Sequence, residues 1–179
     1  MANIGDKVQV RATSTNSATT TNFNTRFNRF DINGLADLQG NPQSILQKDN
    51  FASITTIQSG QLGQLFRYQP IVDASNMKIT ATTLDSFSIG HMFRQSTTLK
   101  KGPEIFATTL GNTYTMDGVF NGCSSLEEIK IHYTGNQLGT NVFDVWVEGV
   151  PGTGTFYYNG SSTTRGTNAI PTGWTVQSF

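Results

Sequence analysis

The sequence predicts a mixed, β-rich fold arranged as a short solenoid of repeats, with a non-repeat N-terminal arm and a C-terminal cap. Two observations carry this prediction. A similar pattern of apolar residues recurs about every 26 to 27 positions. Charged residues make up only 13% of the chain, and Thr, Ser and Asn supply most of its polarity. Because Thr favours strands and Asn and Ser favour turns, this composition argues against an all-helical bundle.

The repeat is marked by a phenylalanine that follows an apolar residue, with a leucine or valine six positions later. The three phenylalanines are Phe66, Phe93 and Phe120, and the later residues are Val72, Leu99 and Leu126. A second marker agrees, because residues 79–84 match residues 105–110 at an offset of 26. Self-similarity of this length is typical of a solenoid, whose units bury their apolar sides against one another.

Each unit should contain one half-buried strand. After Leu126, Ile129 and Ile131 alternate with polar residues, as expected where one face of a strand is buried. Strands of successive units would then pair in a parallel ladder. The predicted repeat core comprises Phe66, Val72, Phe93, Leu99, Phe120, Leu126, Ile129 and Ile131. Three units are close to the minimum for stability, so the flanking segments should cover the ends.

The chain divides into three predicted segments: an arm over 1–45, the solenoid over 46–135 and the cap over 136–179. The arm contains a tract that is poor in apolar groups and reads as loop. In the cap, residues 142–150 form either a helix or a strand, and residues 155–158 form a strand. The predicted cap core is Trp146, Phe156 and Trp174.

Charge and cysteine content exclude several classes of protein. The formal net charge is zero, and no basic stripe is present that could neutralise nucleic-acid phosphates or attract an anionic membrane. The single cysteine, Cys123, cannot form an internal disulfide. The chain starts at Met1 without an apolar signal segment, so we expect it to be made and assembled in a cytoplasm.

The sequence offers few candidates for chemistry. His91 and His132 have no metal-ligand spacing to Cys123, so structural histidines are expected. In the repeat register Cys123 is a small buried side chain, whereas a catalytic thiol needs an adjacent base. Asp144 and Glu148 could share one helical face as an acid pair, but a solvated face is the stronger interpretation. We therefore predict no catalytic residue, no metal and no cofactor.

Two further motifs have structural interpretations. Residues 149–154 are rich in glycine but contain no Gly-Lys-Ser or Gly-Lys-Thr, so they predict a tight turn instead of a phosphate-binding loop. Lys100 and Lys101 form an isolated basic pair in a turn, where they would contribute to solubility.

Several motifs together resemble one known group of proteins. The segment VFNGCSSL at 119–126, ATTL at 107–110, GTF at 154–156 and IPTGWTV at 170–176 are similar to BspA-type leucine-rich repeats. Such repeats occur in surface proteins of Bacteroidales and in phages that infect them, including crAss-like phages. The resemblance covers about 65–179. It departs from the pattern at Ser96, which stands where the next unit has Cys123.

The resemblance implies a fold of leucine-rich repeats and a role in display or binding without catalysis. We expect a structural appendage of a phage particle: a head fibre or capsid decoration, slightly favoured by the short chain, or a tail fibre. It would be assembled in the host cytoplasm and become extracellular on the particle. The alternative is a bacterial BspA-like surface adhesin. A glycan lyase or hydrolase would need converging carboxylates, and the sequence shows no candidate pair.

The layout suggests how such an appendage would be mounted. Residues 1–45 would dock onto a capsid, portal or tail protein, and the remainder would face a host-surface, mucus or glycan ligand. A homo-oligomer is expected, with a trimer as one form. Phe23, Phe27 and Phe30 would share a helical face flanked by Arg26 and Arg29. That stripe either packs on the solenoid as its N-terminal cap or anchors the chain to another subunit.

Overall fold

Parallel pairing between segments distant in sequence organises the chain. A computed structural model describes residues 29–47 and 49–179, which contain nine β-strands and three short 3-10 helices. The strands are β1 (Ala36–Gly40), β2 (Thr56–Ile57), β3 (Ile71–Ile79), β4 (Thr83–Leu84), β5 (Lys101–Ile105), β6 (Thr109–Leu110), β7 (Glu128–Ile131), β8 (Thr155–Tyr157) and β9 (Thr175–Gln177). The 3-10 helices span Pro42–Ile45, Phe51–Ser53 and Asn141–Phe143. None of these helices has the length and apolar character needed to cross a bilayer.

The strands form two sheets. The larger sheet has six strands in the order β1-β3-β5-β7-β8-β9, and the smaller has three in the order β2-β4-β6. Every pairing in both sheets is parallel. Because parallel neighbours need long crossover connections, the chain returns to the same side of the domain before each new strand begins.

The predicted leucine-rich-repeat solenoid with a separate arm and cap is wrong, because the structure is a compact domain built on these two parallel sheets. The predicted arm contributes β1 to the large sheet, and the predicted cap contributes β8 and β9. The spacing of 26 to 27 residues is instead the register of the sheet, where Ile79 pairs with Ile105 and Ile105 with Ile131. Evenly spaced apolar strands thus predict strand pairing, and they do not by themselves fix the architecture.

A column of aromatic rings runs through the core. Phe66 stacks on Phe93 with 5.4 Å between ring centroids, and Phe93 stacks on Phe120 at 5.9 Å. Trp146 continues the column beyond Phe120 in a tilted orientation, with its centroid at 6.0 Å. Phe30 extends the column at its other end, 5.4 Å from Phe66. Aromatic pairs at such separations add stability beyond the area they bury.

The predicted helical stripe of Phe23, Phe27 and Phe30 is not helical in the part of it that the structure describes. Residues 29–35 contain no helix, and Phe30 instead donates its N–H to the carbonyl of Leu65 at 3.1 Å. Arg29 is exposed. Phe23, Arg26 and Phe27 lie outside the described residues. Phe30 is therefore part of the ring column, and one face of its ring stacks on Phe66.

The predicted core residues are buried with one exception. Fully or nearly fully buried are Phe66, Phe93, Leu99, Phe120, Leu126, Ile129 and Ile131, as well as Trp146, Phe156 and Trp174. Val72 is only half-buried, and the fully buried Ile71 takes its place. The reason is a shifted register, because Asp73 pairs with Lys101 at an offset of 28. A period of 27 therefore misses the correct core position by one residue.

A layer of turns joins the two sheets and repeats an unusual backbone conformation. Four residues spaced 27 apart have a positive φ angle: Gln64, His91, Gly118 and Val145. A second set with the same spacing also has positive φ angles: Tyr68, Gln95, Gly122 and Gly149. In the first set, the N–H groups of Gln64, His91 and Gly118 each donate to a carbonyl of the next turn at 2.7–2.9 Å. These bonds align successive turns side by side, so their outward side chains form rows.

Candidate functional site

The outer face of the large sheet presents rows of polar side chains at neighbouring register positions. One row consists of Lys78 on β3, Glu104 on β5, Lys130 on β7 and Tyr157 on β8, each paired with the next. These residues face outward because their strand neighbours, such as Ile79 and Ile105, point into the core. The sheet thus brings together residues that are up to 79 positions apart in sequence.

The charges on this face alternate and neutralise one another. Lys78 Nζ lies 3.7 Å from Glu104 Oε2, and Lys130 Nζ lies 2.8 Å from Glu128 Oε1. A neighbouring row alternates in the opposite sense, with Asp73 opposite Lys101 and Lys101 opposite Glu128. Cross-strand pairs of opposite charge stabilise the sheet and leave little net field. The face therefore carries little net charge.

Asp73 shows how strongly the neighbouring groups favour its charged form. Partial burial acts to raise the pKa of Asp73, but hydrogen bonds from Ser75 outweigh it, and the charges of Lys101 and Lys130 add to their effect. The pKa of Asp73 is therefore lower than usual. The alternation of charge on the outer face is maintained at neutral pH.

An aromatic cluster, which we name the aromatic shelf, occupies one end of this face and consists of Phe106, His132, Tyr157 and Phe179. The His132 ring lies between two phenylalanine rings, with centroids 4.4 Å from Phe106 and 4.0 Å from Phe179. Tyr157 adds a tilted ring 6.0 Å from Phe179. Lys78 Nζ lies 5.9 Å from the Phe106 centroid, and Lys130 Nζ lies 5.0 Å from that of Tyr157.

The local sequence explains the position of the shelf. Phe106 and His132 each follow the last buried isoleucine of a strand, so alternation turns both side chains outward. His132 Nε2 lies 2.9 Å from Glu104 Oε1, which holds the imidazole in place. At the end of the chain, the Phe179 N–H donates to Asn159 Oδ1 at 3.1 Å. Phe179 remains 48% exposed, so the shelf meets solvent at its C-terminal side.

Cys123 lies in a closed, apolar setting. It is fully buried, and its Sγ donates to the Phe93 carbonyl at 3.1 Å. Burial raises the pKa of the Cys123 thiol to about 12, with a small opposing effect from the backbone of Ser96. Ser96 makes the equivalent bond 27 residues earlier, from its Oγ to the Phe66 carbonyl at 2.8 Å. Since the thiolate is the nucleophile, this cysteine is held in its unreactive form.

We expect native Cys123 to resist a thiol reagent such as 5,5′-dithiobis(2-nitrobenzoate) at pH 8 and to react fully once guanidinium unfolds the chain, because burial blocks both ionisation and access. Release of the coloured thiolate measures the modification. The control is Cys123→Ser, which should keep the fold, since Ser96 already occupies the equivalent position, and should give no signal. Rapid modification of the native protein would contradict the assignment.

The other sequence-predicted polar candidates are held apart from one another. His91 Nε2 lies 3.1 Å from Asp117 Oδ2 in the turn layer. Asp144 accepts from Asn168 Nδ2 at 3.1 Å, whereas Glu148 accepts from Asn121 Nδ2 at 2.8 Å. Each carboxylate thus has its own asparagine partner. Within residues 29–47 and 49–179, no group of three His, Cys, Asp or Glu side chains is placed to hold a metal ion.

The aromatic shelf is the feature that the sequence did not predict. His132 was expected to be structural, and Phe106 and Phe179 carried no expectation. A signal for half of the shelf exists, because the offset of 26 between residues 79–84 and 105–110 recurs between Ile105 and Ile131. That offset places Phe106 beside His132. Nothing in the sequence spacing links Phe179 to either.

Comparison of the chain with protein-family models, with curated proteins and with solved structures gives no match.

Proposed function

We propose that this chain is a non-catalytic display and adhesion protein of a phage particle, and that the aromatic shelf is its contact surface for a ligand on the host. The shelf carries the proposal, because it places three partly exposed aromatic rings and an imidazole beside two lysines on one rigid sheet face. Tyrosine and other aromatic groups dominate the binding energy of protein interfaces, and charge pairs fix their orientation.

The rigidity of the sheet supports this role. The six strands form one hydrogen-bonded surface, and the residues beneath the shelf, Ile105, Ile131 and Phe156, are buried. A contact surface built on strands loses little conformational entropy on binding, which favours affinity. The resemblance of residues 107–110, 119–126 and 170–176 to BspA-type proteins points to the same class of activity, since those proteins are associated with display on surfaces.

We expect the fluorescently labelled full chain to bind intact Bacteroidales cells, and Phe179→Ala to lower that binding at least five-fold. Phe179 is half-exposed, so removing its ring opens the shelf without disturbing the core. Flow cytometry over a range of protein concentrations measures the effect. Leu35→Ala is the matched control, because Leu35 is also exposed and lies beside β1, at the opposite end of the sheet order. Equal loss in both variants would refute a role for the shelf.

A second experiment tests the location on a particle. Mass spectrometry of purified phage particles should detect the chain, and a truncation lacking residues 1–28 should reduce its incorporation. This boundary leaves all nine strands in place, whereas a cut at residue 45 would remove β1 and the 3-10 helix Pro42–Ile45. Undiminished incorporation of the truncated chain would show that the N-terminal segment does not dock. Absence from particles together with presence on bacterial cells would instead favour the adhesin alternative.

A further inference from the structure

The turn layer carries two adjacent arginines on a surface that contains no member of the aromatic shelf. The Tyr68 N–H donates to the Arg94 carbonyl at 2.9 Å, so Arg67 and Arg94 occupy neighbouring positions on successive turns. Hydrogen-bonded neighbouring chains lie about 5 Å apart. Like charges directly opposite one another are destabilising, so an anion placed between these guanidinium groups would relieve their repulsion.

No carboxylate among the described residues contacts either arginine directly. Within residues 29–47 and 49–179, ion pairs form only at lysine and histidine, and no carboxylate oxygen lies within 4.0 Å of either guanidinium. Arg67 instead donates to neutral oxygens, at 3.0 Å to Gln64 Oε1 and at 2.8 Å to the Tyr68 hydroxyl. Arg94 Nη1 lies 3.3 Å from His91 Nε2. The nearby carboxylate of Asp117 contacts that same imidazole nitrogen at 3.1 Å.

Both guanidinium groups also retain unmet hydrogen-bonding capacity. The Nε atoms of Arg67 and Arg94 are buried and have no acceptor. Leaving such donors unsatisfied is unfavourable. The Tyr68 ring, which is 52% exposed, adds an aromatic surface. Arg67 Cζ lies 4.7 Å from its centroid, and the exposed Arg29 brings a third cation to 5.9 Å.

We infer that this arginine patch, formed by Arg29, Arg67, Tyr68 and Arg94, binds an acidic sugar through a carboxylate or sulfate group held by Arg67 and Arg94. Guanidinium groups recognise such planar or tetrahedral oxyanions with paired hydrogen bonds. The Tyr68 hydroxyl and the exposed amide of Gln95, on the neighbouring turn, can bond sugar hydroxyls. Three arginines are too few to track a nucleic-acid backbone, whose binding scales with the number of phosphates contacted.

This inference goes beyond the proposed function, because it concerns a second surface and does not depend on the shelf or on a phage particle. We expect the full chain to bind polygalacturonate, which carries carboxylates, or dextran sulfate, which carries sulfates, and not to bind neutral dextran. Isothermal titration calorimetry at 150 mM salt compares the three polymers. Binding to only one acidic polymer identifies which oxyanion the patch prefers.

Charge-matched variants separate a site from general attraction. Arg67→Gln/Arg94→Gln should lower the affinity at least ten-fold, and Arg67→Lys should lose most of it because the guanidinium fork is absent. Lys100→Gln/Lys101→Gln removes the same charge from the neighbourhood of β5 and should change the affinity less than two-fold. Phe179→Ala should leave this affinity intact, which distinguishes failure of the patch from failure of the shelf. Equal losses in the arginine and lysine pairs, or no binding to either acidic polymer, would overturn the inference.

Discussion

Replacing Phe93 with alanine is expected to lower the free energy of unfolding by about 3–5 kcal/mol, the largest effect that we anticipate from one aromatic substitution. Phe93 is fully buried at the centre of the ring column, with Phe66 on one side and Phe120 on the other. Its removal leaves a cavity between two rings that the paired turns hold in place, so collapse is restricted. Urea denaturation followed by circular dichroism measures the change.

Two companion variants make this result interpretable. Phe93→Leu retains most of the volume and should have a smaller effect, of about 1–2 kcal/mol, which gives a measurable value if the alanine variant does not fold. Leu35→Ala removes an apolar side chain that is 73% exposed and should change stability by less than about 0.5 kcal/mol. A Phe93→Ala protein as stable as Leu35→Ala would show that the ring column does not support the fold.

Substitution of Gln43 by methionine is expected to destabilise the chain by about 2–4 kcal/mol, although methionine is apolar and similar in length. Gln43 is completely buried beside β3 and satisfies backbone groups from two segments. Its Oε1 accepts from the N–H groups of Thr80 and Ala81 at 2.9 and 3.0 Å. Its Nε2 donates to the Ile54 carbonyl at 2.7 Å. Methionine leaves these groups unpaired in a site with little access to water.

The matched control for this variant is Gln39→Met, because Gln39 lies on β1 and is exposed. Its stability should stay within about 0.5 kcal/mol of the original chain. Gln43→Glu provides a second comparison, since the carboxylate keeps the accepting oxygens but cannot donate to Ile54 at neutral pH. Thermal unfolding of the four proteins under one condition ranks them. If Gln43→Met matches Gln39→Met, the buried amide is not a structural link between these segments.

Sequence spacing predicted which strands would be neighbours better than it predicted the architecture. The offset between Phe93 and Phe120 corresponds to stacked rings in the core. The same spacing led to a solenoid with separate ends, whereas β1, β8 and β9 belong to the one large sheet. Spacing reports on pairing between adjacent strands. The number of strands that a sheet finally contains depends on flanking segments that lack the repeated marker, such as Ala36–Gly40.

The candidate surfaces were less predictable because they depend on tertiary proximity. Phe179 reaches His132 only after β9 has paired with β8, and the separation of these residues in sequence gives no hint of the contact. Arg67 and Arg94 are 27 residues apart, so the repeat places them side by side, but only the structure shows that no described carboxylate pairs with them directly. Buried hydrophobic residues follow from local patterns, whereas surface sites arise from the register of distant segments.

The all-parallel pairing of the two sheets has a kinetic consequence. Paired residues of the large sheet lie 20 to 37 positions apart in sequence, from Thr155 with Thr175 to Gly40 with Met77. Loop-closure entropy changes slowly with length, so no single pairing is much easier to start than the others. Among the strands that the structure describes, no hairpin is present that could form early by itself. Such a non-local topology is associated with folding over milliseconds to seconds, and unpaired strands remain accessible to other chains until the last pairing closes.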